Sequence, residues 1–110
     1  MYDNSCQSPS STLTFVHRFS RTVQCCVRVD DQPPEPGSGL NLRFEWSGRP
    51  KPKHIAAYRQ WILGTVKILA DRWDSRILYA LGVAANSTEL WTFEPGKAPQ
   101  LVKKLNVGIP

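Results

Sequence analysis

Residues 12–30 carry the most restrictive pattern in this chain, because apolar and polar side chains alternate through two runs that only three residues separate. The shared face of the two runs holds Leu13, Phe15, His17, Phe19, Val23, Cys25, Val27 and Val29. A period of two is typical of half-buried strands. The short connection at residues 20–22 predicts an antiparallel hairpin. The register that keeps this face apolar pairs His17 with Cys25 and Phe15 with Val27.

One helical pattern divides the remaining chain. Apolar side chains recur at three- and four-residue steps from Ile55 to Trp73, which predicts an amphipathic helix of about twenty residues. Alternating or apolar runs at residues 40–46, 76–83, 88–94 and 99–105 predict four further strands. The expected fold is therefore an α+β domain of order β-β-β-α-β-β-β. It has an antiparallel sheet of five to six strands and one long amphipathic helix packed on one face.

The 110 residues suffice for one domain, which we expect to span residues 12–105. Residues 1–11 resemble a disordered N-terminal tail, residues 31–39 a loop rich in proline and glycine, and residues 106–110 a C-terminal tail. The apolar runs are too short to cross a bilayer, and no basic residue precedes an apolar run near the N-terminus. We therefore expect a cytoplasmic protein with no membrane partner.

The positive charge is concentrated in the second part of the chain. Residues 1–39 have a net charge of −1 and residues 40–110 a net charge of +6. The cations form two patches, at residues 49–54 and 97–104. Their candidate anion-binding residues are Arg49, Lys51, Lys53, His54, Lys103 and Lys104. The first patch leads into a helix start that lacks a capping side chain, where a phosphate or carboxylate is favoured. The alternatives are that its lysines serve solubility and that Lys103 and Lys104 protect an edge strand.

Few residues suggest catalysis. We expect no metal, because Cys25 and Cys26 are adjacent and lack the spacing of zinc ligands, and we expect no cofactor. The odd cysteine count favours reduced thiols. No catalytic motif is present, so we do not expect an enzyme. The predicted contact of His17 with Cys25 is the arrangement that a thiol nucleophile needs, and this is the least favoured of the functional hypotheses. The favoured alternative is that the two side chains are simply neighbours in the core.

The hairpin at residues 76–94 is apolar on both faces, which predicts a central strand covered on both sides. The expected register pairs Leu81 with Leu90 and Tyr79 with Thr92. A single helix covers one face, so the other face is an interface candidate unless the sheet curls over it. The interface candidates are Leu78, Tyr79, Leu81, Leu90, Trp91 and Phe93. The leading hypothesis is a small interaction domain that forms a homodimer or binds a protein partner here. The second is nucleic-acid or polyanion binding through the basic patches.

Overall fold

The computed structural model describes residues 12–106. The predicted N-terminal tail, residues 1–11, lies outside the described residues, as do residues 107–110 of the predicted C-terminal tail. Asn106, the first residue of that predicted tail, is instead the last residue of a strand.

The element order confirms the α+β class and the predicted succession of strands and helix. The elements are β1 (Thr12–Arg18), β2 (Gln24–Asp30), β3 (Arg43–Ser47), a 3₁₀ turn (Pro52–His54), α1 (Ile55–Trp73), β4 (Ile77–Ala84), β5 (Ser87–Phe93) and β6 (Gln100–Asn106). No helix among residues 12–106 is long and apolar enough to cross a membrane.

The prediction of one sheet is wrong, because the strands form two antiparallel sheets of order β1-β2-β3 and β4-β5-β6. The helix joins β3 to β4. Trp46 of β3 and Val83 of β4 line one cavity, and Leu40, which precedes β3, lines another with Leu78 of β4. β3 and β4 are not paired by hydrogen bonds.

The first hairpin has the predicted register, with His17 opposite Cys25 and Phe15 opposite Val27. The Phe19 N–H donates to the Val23 carbonyl (2.8 Å), which closes the hairpin at the expected position. The prediction succeeds because only one face of this hairpin is apolar, and a slip of one residue would turn that face to solvent.

The predicted register of the second hairpin is wrong by one residue. Leu81 lies opposite Glu89, and Tyr79 lies opposite Trp91, with an irregularity between Gly82 and Ala84. The expectation of a central strand is also wrong, since β4 lies at the edge of its sheet, and Leu78 on its outer face is 53% exposed. Both faces of this hairpin carry apolar side chains, so hydrophobic burial alone does not select between the two registers.

The core combines one face of each sheet with a wide arc of the helix. Val27 from β2, Leu69 from α1 and Phe93 from β5 are fully buried within one cluster. A buried polar network also joins the helix to the second sheet. Arg59 Nε donates to Glu89 Oε1 (2.8 Å), and Trp91 Nε1 donates to the same oxygen (2.9 Å). Glu89 is only 6% exposed, and the Arg59 guanidinium lowers its pKa.

The expectation of reduced thiols is wrong for Cys26, which is disulfide-bonded. Cys25 is free and buried in the core. Because adjacent side chains of a strand point to opposite faces, only Cys25 faces the helix.

The helix ends at a residue with an unfavourable backbone and an unfavourable charge. Asp74 has φ of 50° and ψ of 44°, in the left-handed region that favours glycine. Its carboxylate also lies at the negative end of the helix dipole.

We expect Asp74→Gly to raise the free energy of unfolding by about 1 kcal/mol, since glycine adopts this conformation without strain and the variant removes the repelled charge. Thermal or urea unfolding measures the change. A loss of stability would contradict this interpretation of the helix end.

Candidate functional site

The turn between β1 and β2 packs against the segment that leads into the helix. Gly48 has φ of +82°, and a Cβ at this position would lie 1.9 Å from the Thr22 carbonyl oxygen. Such a close backbone approach is open only to glycine. The contact brings Arg21, in the turn, beside Arg49, which follows Gly48.

Five exposed cations collect around this contact. They are Arg18, Arg21, Arg49, Lys51 and Lys53, and we call this surface the basic end. None of the five forms an ion pair within the part of the chain that the structure describes, whereas six other arginines and lysines do. The basic end therefore presents uncompensated positive charge to solvent.

The opposite end of the helix is surrounded by carboxylates, and we call it the acidic end. Its acidic residues are Asp30, Asp31, Asp71, Asp74 and Glu94. Arg72 binds Asp31 through two hydrogen bonds of 2.7 Å, which lowers the pKa of Asp31. The Asp71 carboxylate accepts a hydrogen bond from the Gly96 N–H (3.1 Å). The main cause that lowers the pKa of Asp71 is the hydrogen bond from Lys67.

This distribution of charge opposes the helix dipole, which favours anions at the helix start and cations at its end. The first turn contains no acidic residue, and no side chain caps the helix start. His54 is buried (7% exposed), and its Nδ1 accepts from the Lys51 N–H (3.1 Å). The helix N–H groups and the basic end consequently share one unbalanced positive region.

A cavity of about 350 Å³ opens between β3, the helix start and β4. We call it the seam cavity. Its walls include Trp46, Lys51, His54, Ile55, Tyr58 and Val83. The ring centroids of Trp46 and Tyr58 are 5.7 Å apart, and burial raises the pKa of Tyr58 to about 12, so its hydroxyl stays neutral. The walls are largely apolar and aromatic, and Lys51 contributes a cation.

The structure divides the second predicted cationic patch, residues 97–104, between the two ends of the second sheet. Gly82, on the wall of the seam cavity, lies in one row with Thr88 and Leu105 across the second sheet. Lys104 is the neighbour of Leu105, so Lys103 and Lys104 lie on β6 toward the basic end. Lys97 lies at the other end of the sheet, bound to Glu94 (3.0 Å).

A larger cavity, of about 720 Å³, lies under the loop at residues 31–39. Asp30 and Glu35 are among its lining residues. Because these carboxylates repel anions, the seam cavity is the better candidate for a negatively charged ligand.

His17 and Cys25 are adjacent as predicted, but their surroundings do not activate a thiol. Cys25 is fully buried, and burial raises its pKa to about 11, so the nucleophilic thiolate is disfavoured at neutral pH. His17 stacks on Trp61, with ring centroids 5.5 Å apart. Both residues act as parts of the packed face.

The six interface candidates separate onto two faces. Leu81 and Phe93 are buried in the core, and Tyr79 and Trp91 are half-buried against it. Leu78 and Leu90 belong to the outer face of the second sheet, by their register. Only these two therefore remain at a surface that a partner can reach.

Sequence reasoning missed Arg18, Arg21 and the seam cavity. Arg18 and Arg21 precede Arg49 by about thirty residues, and only the turn packed on Gly48 brings them close. Tyr58 lies four residues after His54, on the same face of the helix, which was an available signal for a shared site.

No group of three potential metal ligands occurs among residues 12–106. Comparisons with protein-family models, with curated proteins and with solved structures find no match to this chain.

Proposed function

We propose that this domain binds nucleic acid through its basic end. The observation that carries the proposal is the collection of five exposed cations that have no ion-pair partner among residues 12–106, at one end of the molecule. Phosphate contacts by lysine and arginine supply most of the affinity in sequence-independent binding.

The spread of these cations favours a polymer over a small anion. They lie on the end of β1, on its turn and on the segment before the helix, and Lys103 and Lys104 extend the charge across the second sheet. An extended row of phosphates can contact several of these elements at once. The carboxylates of the acidic end, at the far end of the helix, are in contrast largely paired with cations, so that end carries little net charge.

The test compares two double variants that remove the same charge. Lys51→Ser/Lys53→Ser acts at the basic end, and Arg76→Ser/Lys97→Ser acts away from it. We expect the first to weaken binding to a fluorescent 20-nucleotide strand about tenfold in fluorescence anisotropy at low salt, and the second by less than about twofold. Equal losses in both variants would show that net charge alone governs binding and would contradict the proposed site.

Self-association is a second candidate function, because the outer face of the second sheet exposes apolar side chains. Leu78 is 53% exposed and Leu105 is 36% exposed, and all seven residues of β6 are exposed. A face of this kind is a typical site of contact between two copies of a chain. Sedimentation equilibrium of the full chain and of Leu78→Lys tests it. A dimer that Leu78→Lys dissociates supports this function, and a monomer at high concentration contradicts it.

A further inference from the structure

The seam cavity offers an apolar, aromatic binding surface directly beside the cations of the basic end. Trp46 and Tyr58 form its aromatic wall, and Ile55, which is 45% exposed, lies at the first residue of the helix. Lys51 is on the wall itself, with Arg49 and Lys53 two residues away on either side. A ligand in this cavity is therefore within reach of both aromatic rings and positive charge.

From this arrangement we infer that the seam cavity receives one unstacked base of a single-stranded nucleic acid, an inference that rests on the proposed function. The phosphates next to that base lie against Lys51 and its neighbours, and the base packs against Trp46 and Tyr58. Base–aromatic stacking of this kind tolerates any base, because every base has a π-face. A volume of about 350 Å³ is near the lower limit for ligand cavities and suits one planar group.

His54 adds a second polar side chain to the cavity wall, besides Lys51. Its Nδ1 accepts the Lys51 N–H, so the neutral ring carries its proton on Nε2. Nε2 has no hydrogen-bond partner among the described residues, and it is available to a base carbonyl or ring nitrogen.

The same geometry makes the site selective for single strands. Bases of a duplex are paired and stacked, so they cannot enter a cavity without the cost of unstacking. Phosphates, in contrast, are equally accessible in single strands and duplexes. The basic end thus contributes affinity for single strands and duplexes alike, and the seam cavity adds affinity for single strands alone.

The experiment measures the affinity of the wild-type chain for two single strands of equal length and charge. One is oligothymidylate, and the other has the same sugar–phosphate backbone without bases. We expect oligothymidylate to bind about tenfold more tightly. The preference is expected to disappear in Trp46→Leu, to persist in Trp46→Phe, and to persist in Trp73→Leu, which removes a half-buried indole at the other end of the helix.

The outcomes separate the two proposals. Equal affinity of the wild-type chain for both strands overturns the base-binding inference and leaves the proposed function intact. Retention of the preference in Trp46→Leu also overturns it. Failure of both strands to bind overturns the proposed function itself. The wild-type comparison decides the inference even if a variant fails to fold, which circular dichroism monitors.

Discussion

Gly48→Ala is expected to lower the free energy of unfolding by about 2–4 kcal/mol. The φ of +82° costs a residue with a Cβ about 1 kcal/mol. The new Cβ would also lie 1.9 Å from the Thr22 carbonyl oxygen, so the turn must move away from the strand. Overpacking that shifts the backbone typically costs a further ~1–3 kcal/mol, which equals or exceeds the cost of the backbone strain. Urea unfolding at neutral pH measures the sum.

Gly37→Ala is the matched control for this variant. Gly37 also has a positive φ, of 87°, but a Cβ there meets no atom within 4 Å. We expect only the backbone cost of about 1 kcal/mol. If the two variants lose the same stability, the turn does not pack on Gly48 as described.

Glu89→Ala is expected to cost about 2–3 kcal/mol, because it leaves the partly buried Arg59 guanidinium and the Trp91 N–H without their acceptor. Glu94→Ala is the control on the same segment, since Glu94 pairs with Lys97 at an exposed position. We expect little change there. Equal losses would indicate that the buried network contributes no more than a surface ion pair.

The stabilisation by Glu89 also depends on pH. The folded protein holds the pKa of this carboxyl below its ordinary value, chiefly through the hydrogen bond from Arg59. The carboxylate therefore stabilises the fold fully above the unfolded pKa of about 4.3, and this stability is lost as the pH falls through the lower folded pKa. The difference in stability between the wild-type chain and Glu89→Ala is expected to shrink over that acidic range. A difference independent of pH would contradict the assignment.

Sequence reasoning recovered the parts of the fold in which the pattern of apolar side chains is compatible with only one arrangement. The first hairpin has one apolar face, so its register follows from burial alone. The helix from Ile55 to Trp73 follows from its period, and its boundaries agree with the structure. The second hairpin carries apolar side chains on both faces, so burial does not distinguish the pairing of Leu81 with Leu90 from the observed pairing with Glu89. The separation into two sheets depends on β3 and β4, which are distant in sequence and are not paired by hydrogen bonds.

The candidate site was predicted only where its residues are contiguous. Arg49, Lys51 and Lys53 are recognisable beside the start of the helix. Arg18 and Arg21 join them through a tertiary contact at Gly48 that no local pattern encodes. The seam cavity likewise requires Trp46, Tyr58 and Val83 to meet from three different elements.

The central claim is that the basic end binds nucleic acid through phosphate contacts, and the salt dependence of binding tests it most directly. A labelled single strand is titrated with the wild-type chain at several salt concentrations. If about five cations contact phosphates, the plot of log K against log salt has a slope of about −3 to −4, with affinity in the micromolar range near physiological salt. The absence of binding at low salt, or a slope near zero, would contradict the account.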